Sequence, residues 1–351
     1  MNEQPQTLVI LSPGFPESEE DSTCIPIQQV FVRALKQNYP ELNIIIVAFE
    51  YPFTRVPYQW YSMPVIPFGG ENKSRLYRLR NWARVWRKLK TLNKQHQVIG
   101  LLSLWFDECA FVGHNFAKQH QLKHFSWMLG QDARPGNRYF KWIKPKGESL
   151  IALSDFVARQ VYKNYGVLPK NTITTGVDTS QFGPNNHQRD IDILGVGSLI
   201  PLKQYDVFIE AVKFLREFMP DINTMICGKG PEHEKLQSLI TQNHLEHNIT
   251  LVGEIPHVVV LSMMQRTKVF LHTSSYEGFG VVLLEALYGG AQVVSFVKPM
   301  DADIEHHHPV NNFIDMCHKL LEVLEEPKPS YEPVLAYPIQ NVASSIMELY
   351  S

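Results

Sequence analysis

Two glutamates, Glu277 and Glu285, are separated by seven residues in a stretch (residues 274–295) that also carries Gly278, Phe279 and Gly280. The apolar run at 269–272 reads as a strand, and the residues after Gly280 read as a helix. The glycines flanking Phe279 let the backbone turn tightly and approach a ligand. The N–H groups of Val281, Val282 and Leu283 would then face an anion at the helix start. Glu277 falls in the loop. Glu285 falls more than a turn into the helix, where a buried carboxylate needs a partner. Acceptors on both sides of a phosphate cradle suit a ligand with hydroxyls on both sides of a diphosphate. A nucleotide sugar is such a ligand. Taken alone, the pair reads as a capping acid and a solvated helical Glu. The glycines, the preceding strand and Lys203 upstream favour the ligand reading.

These residues need a frame to hold them. Short apolar runs at 8–11, 43–48, 98–102, 124–128, 150–153 and 171–174 read as strands buried on both faces of a parallel sheet. A second series lies at 191–196, 223–227, 250–252, 269–272 and 292–296. Helical patterns separate them, most clearly at 206–218. The alternation implies an α/β fold of two Rossmann-like, doubly wound domains. Their boundary is expected in the polar, turn-rich residues 180–190, which gives domains of 1–183 and 184–337. Residues 51–70 hold four prolines and six aromatics without a clean period, and read as a long irregular loop near a site.

Composition bounds the function. The 351 residues carry 33 Lys and Arg against 35 Asp and Glu, a formal charge of −2, which argues against a nucleic-acid binder. The chain is 44% hydrophobic, enough for two sizeable cores. The four cysteines form no CxxC pair, so disulfides and a cysteine zinc site are not expected and a reducing, cytoplasmic compartment is. The first residues read as a strand, not a signal peptide, and no run of 18 apolar residues marks a membrane span.

The spacing EGFGxxxxE with a following EALYGGAQVV, residues 277–294, resembles the donor-site signature of retaining glycosyltransferases of family 4, which have the GT-B fold. Residues 195–212, GVGSLIPLKQYDVFIEAV, resemble that family's strand, glycine turn and lysine-bearing loop. CGKGPEHEKLQSLI (227–240) resembles its GxGP turn, and TLVGEI (250–255) its base-contacting segment. ALSDFVARQVYKNYGV (152–167) and TGVDTSQF (175–182) look like its helix and GVDxxxF turn. The resemblance is strong over about 150–296 and loose elsewhere.

It implies two domains facing across a cleft, with the C-terminal domain binding a nucleotide-diphosphate sugar and the N-terminal domain the acceptor. The last helix would pack back, over 338–351, on the N-terminal domain. Glu277 would hold donor-sugar hydroxyls. The backbone at Gly278, Phe279, Gly280, Val281 and Val282 would meet sugar and phosphate, and Glu285 the ribose. Lys203 would neutralise the departing diphosphate, since a fixed cation stabilises that developing charge. Gly197, Ser198, Gly230 and Val252 would line the donor pocket. Gly14 would let its loop approach the diphosphate, and Asp132 would lie in the sugar or acceptor pocket. Ser198 stands where the family often has Arg, and Leu129 where it often has His. No cofactor or metal is implied. The acceptor could be a glycan, a lipid-linked molecule or a small molecule, in cell-surface glycan assembly. A sugar-nucleotide epimerase and a non-catalytic subunit on the same fold are the rivals. The EGFG run argues against the first, while Ser198 and Leu129 favour the second.

Other constellations read more plainly. Asp301 and Asp303 imitate a metal-binding DxD outside its strand context and read as a polar loop, and residues 305–308, EHHH, could bind a metal, although adjacent residues in a loop rarely converge on one ion. Residues 73–94 carry nine basic residues from Lys73 to Lys94 and no acid, with Leu76, Leu79, Trp82, Trp86 and Leu89 at helical spacing. That fits a helix with its stripe on a sheet and a solvated basic face. It also fits contact with an anionic membrane surface, which would place the protein peripherally on the inner face.

Overall fold

Near-continuous runs of β-branched and aliphatic residues demand burial on both faces, and each becomes a sheet strand covered by helices. A computed structural model describes residues 5–21, 24–71, 74–184 and 188–351. The chain divides into two units, Met1–Thr175 with Ile339–Ser351, and Gly176–Pro338.

The first unit contains β1 (Gln6–Gly14), α1 (Pro26–Asn38), β2 (Asn43–Tyr51), β3 (Tyr58–Trp60), β4 (Met63–Pro67), α2 (Arg75–Gln95), β5 (Gln97–Leu104) and α3 (Glu108–His120). It continues with β6 (Lys123–Met128), α4 (Arg138–Ile143), β7 (Leu150–Ala152), α5 (Asp155–Tyr165) and β8 (Asn171–Thr172). The strands form one sheet in the order β3-β4-β2-β1-β5-β6-β7-β8, parallel except for the β3–β4 hairpin. The second unit contains β9 (Ile191–Val196), α6 (Tyr205–Leu215), β10 (Thr224–Cys227), α7 (His233–Gln242), β11 (Ile249–Gly253), α8 (His257–Gln265) and β12 (Thr267–His272). Then come α9 (Val281–Tyr288), β13 (Gln292–Ser295), β14 (His307–Pro309) and α10 (Phe313–Leu324). Its order is β11-β10-β9-β12-β13-β14, all parallel.

In each sheet the chain winds outward from a central strand and returns on that strand's other side. The order therefore reverses between β1 and β5, and again between β9 and β12. Ligands of open α/β sheets bind beyond the carboxyl ends of the strands at such a point.

α11 (Ile339–Glu348) belongs to the first unit. Asn38 Nδ2 at the end of α1 donates to Gln340 O at 2.8 Å, and Tyr350 Oη donates to Leu101 O at 2.7 Å. The first unit ends at Thr175 rather than at 183. Residues 176–183 are tied to the second unit instead. Val177 N donates to Tyr337 O at 3.0 Å, the Phe182 ring meets that of Tyr288 edge to face, and Gln265 Nε2 donates to Gly183 O. Of the polar boundary stretch, residues 185–187 lie outside the described residues.

Three expectations need correction. Residues 51–70 are not a structureless loop, because they contain the β3–β4 hairpin. Met63, Val65 and Pro67 are buried and alternate with half-buried Pro64 and Ile66, a strand period that the prolines disguise. Trp60 lies fully buried, edge to face with Phe15 at 4.9 Å. Residues 307–308 are likewise strand, in β14, rather than loop. Finally, α2 buries a stripe rotated from the expected one. Asn81, Val85, Leu89 and Leu92 are buried and Trp82 and Trp86 pack on the core, while Leu76 and Leu79 are 74% and 49% exposed. Lys73 lies outside the described residues.

Candidate functional site

The loops leaving β9 and β12 meet at the reversal of the second sheet. After β9 the chain turns through Gly197 and Ser198 into a single 3₁₀ turn, Pro201–Lys203. That turn is bound to the segment after β12. Thr273 Oγ1 donates to Lys203 O at 2.7 Å, and Ser275 N donates to Leu202 O at 3.1 Å. Residues some seventy positions apart are so held side by side, and Lys203 Nζ donates to Glu277 Oε1. His272, the last residue of β12, brings Nε2 to 3.2 Å from the same oxygen, off the line of a good hydrogen bond. His272 is buried, which lowers its pKa and keeps the ring neutral. Burial alone would raise the Glu277 pKa. The contacts of His272 and Lys203 overcome that and bring it down to about 2. Glu277 is therefore a fixed anion. Its described contacts fall on Oε1, which leaves Oε2 to accept from a ligand.

Close packing of backbones explains the glycines beside this pair. A Cβ on Gly228 would fall 1.9 Å from Gly197 O, and one on Gly230 2.3 Å from Leu199 O. The turns after β9 and β10 can lie this near each other only without side chains. Ser198 at the rim is exposed, and Val252 is half-buried in β11. Gly278 is buried.

Gly280 caps α9 in the left-handed region, at φ 80°. The amides of Val281 and Val282 precede the helical ladder and are available to an anion. Leu283 is a correction, since its N–H donates to Gly280 O at 2.9 Å. The Phe279 ring is buried, edge to face with Tyr337, so only its backbone faces the loop. Glu285, on the second turn of α9, accepts from His257 Nε2 at 2.9 Å.

The remaining sequence candidates lie in the first unit. Gly14 ends β1 at that sheet's reversal point, and a Cβ there would meet Tyr51 Cβ at an ordinary 3.4 Å. Asp132 is buried and its oxygens are taken by the amides of Phe106, Leu129 and Gly130 at 2.8–3.1 Å. These bonds fold the loop after β6, including Leu129. Three further acids lie at this edge. Burial raises Asp107 to about 7. Burial and a hydrogen bond with Glu50 raise Glu108 to about 8.

Sequence reasoning missed His272, His257 and Gln181. His272 had a signal, as a histidine closing a buried strand just before the glutamate loop. His257 and Gln181 had none, because their partners are remote in sequence. The other imitators are engaged elsewhere. Asp303 pairs with Lys298 at 2.5 Å, His307 Nε2 meets Ser295 Oγ at 2.9 Å, and His308 Nε2 meets Gln292 Oε1 at 2.8 Å. Among the described residues, no three His, Cys, Asp or Glu side chains are grouped to hold a metal.

Residues 177–327 match the family described as glycosyl transferases group 1. The 2-deoxystreptamine N-acetyl-D-glucosaminyltransferase of Niallia circulans is 29% identical over 115 residues, 33% of this chain and 30% of its own. The chain spans about a quarter to half the length of the curated relatives it matches. Sucrose-phosphate synthase from Thermosynechococcus elongatus superposes with a TM-score of 0.69 at 14% identity over 98% of both chains. HepE from Anabaena, solved with UDP and glucose, superposes with a TM-score of 0.66 at 15% identity, over 98% of this chain and 97% of its own. The chain thus has the GT-B fold, and most of its second unit matches the glycosyl transferases group 1 family.

Proposed function

We propose that the protein is a retaining, metal-independent glycosyltransferase of family 4 that moves a sugar from a nucleoside diphosphate to an acceptor. One observation carries this reading. Lys203 and Glu277 form an ion pair beyond the carboxyl ends of the two reversal-point strands, beside the open amides at the start of α9. Glu277 Oε2 is placed to accept from sugar hydroxyls. Lys203 and the amides of Val281 and Val282 meet the diphosphate as the anomeric carbon–oxygen bond breaks and charge builds on the leaving phosphate. That phosphate takes the acceptor's hydroxyl proton, and the new bond forms on the face it vacates. Retention follows without a protein base, so the engagement of Asp132 elsewhere costs the mechanism nothing.

The sugar in the Niallia circulans relative's name makes UDP-N-acetylglucosamine the first donor to assay. Release of UDP from this and other donors should fall about a hundredfold in Lys203→Ala, with a smaller change in KM, since the cation acts on charge that develops in the transition state. Release unaffected by Lys203→Ala would refute the assignment.

The first unit is assigned the acceptor, in cell-surface glycan assembly. We also assign α2 to an anionic membrane surface on the cytoplasmic side. Exposed Leu76 and Leu79 beside exposed Arg75, Arg80 and Arg87 join apolar area to positive charge on one element. No described helix is long and apolar enough to cross a membrane.

A further inference from the structure

Glu285 is held by more than its own helix. His257, the first residue of α8, directs Nε2 to Glu285 Oε1 at 2.9 Å and Nδ1 to Gln181 Oε1 at 3.2 Å. Gln181 Nε2 in turn donates to Asp178 Oδ2 at 3.0 Å. An ionised carboxylate only accepts hydrogen bonds. Asp178 therefore fixes the Gln181 amide with its nitrogen inward and its oxygen toward His257. Each ring nitrogen of His257 then faces an acceptor, and only the imidazolium carries N–H on both. The hydrogen bond with Glu285 raises the His257 pKa against the effect of burial, in keeping with that geometry. Of the charged residues flanking α8 in sequence, Glu254 pairs with Lys229 and Arg266 pairs with Asp190.

We propose that His257 is a positioning residue that orients the Glu285 carboxylate toward the vicinal hydroxyls of the donor's ribose, and is itself aligned by Gln181 and Asp178. The inference rests on the donor-site reading above. It follows from the division of labour on Glu285. His257 occupies Oε1 and fixes the rotamer, so Oε2 is presented to the ligand already ordered. His257 itself touches no ligand hydroxyl in this arrangement, so its effect must pass through Glu285.

The test is a binding cycle by calorimetry on the full chain. UDP, GDP and ADP are titrated first, then the 2′,3′-dideoxy form of whichever binds. Glu285→Ala and His257→Gln should each weaken the ribonucleotide about tenfold, the size of one charge-assisted hydrogen bond. Both should bind the dideoxy form within about twofold of wild type, because the group that reads the hydroxyls has nothing to read. Gln181→Ala should shift the ribonucleotide in the same direction by less. Equal weakening of both nucleotides by His257→Gln, or none of either, would overturn the inference while Glu285→Ala still upheld the donor site. Wild type binding no nucleotide, or Glu285→Ala without effect, would overturn the donor-site reading and the inference with it.

Discussion

Glu277 is the residue on which charge and burial are most opposed. Its side chain is 17% exposed, and it is ionised because Lys203 and His272 share one of its oxygens. A carboxyl depressed from 4.5 to about 2 contributes stability that is full above about 4.5 and disappears as the pH falls through about 2. The window is worth on the order of 3 kcal/mol. Wild type should therefore melt above Glu277→Gln at pH 6, and the gap should close as the pH falls from 4.5 to 2. A gap independent of pH would mean that the carboxylate is not held as described. At this scale the sequence exposed Glu277 and Glu285, whose spacing is a local pattern, and Lys203 through the resemblance carried by residues 195–212. It did not expose His257 or Gln181, since a contact across 76 positions has no trace in spacing. Asp132 shows the converse. A carboxylate in a suggestive loop is spent on three backbone amides, and no sequence pattern distinguishes that from a free one.

Elements were legible wherever one physical signal dominated. The buried strands of both sheets declared themselves as apolar runs. The β3–β4 hairpin did not, because Pro64 and Pro67 contradict a strand while burial of Met63 and Val65 requires one. The glycine turns after β9 and β10 were visible as residue types, but their purpose lies in the approach of one backbone to another. Gly228→Ala should cost about 2–4 kcal/mol, because its Cβ would meet Gly197 O and neither backbone can yield cheaply. A melting temperature within a degree of wild type would contradict that packing. On α2, the exposed half sets Leu76 and Leu79 among arginines, whereas the core-facing half is fixed by Val85, Leu89 and Leu92. Changing Arg75, Arg80, Arg87 and Lys90 to Gln should abolish cosedimentation with phosphatidylglycerol vesicles and leave nucleotide binding intact. Undiminished cosedimentation would show that α2 does not meet a membrane through its charges.

Across the whole molecule, two sheets built on one plan divide the chain at Thr175, and its last helix returns to the first unit. The chemistry proposed for the protein draws on the second unit, where the order of strands reverses between β9 and β12. That unit should recognise a nucleoside diphosphate before any acceptor is present. The most direct test is thermal melting of the full chain with UDP, GDP and ADP, beside Glu285→Ala and Lys203→Ala. At a hundred times its dissociation constant a ligand stabilises by about 2.7 kcal/mol, a few degrees for a chain of this size. One nucleotide should raise the melting temperature by that amount in wild type and by much less in both variants. No shift with any nucleotide, or the same shift in all three proteins, would contradict a donor site between Lys203, Glu277 and the start of α9.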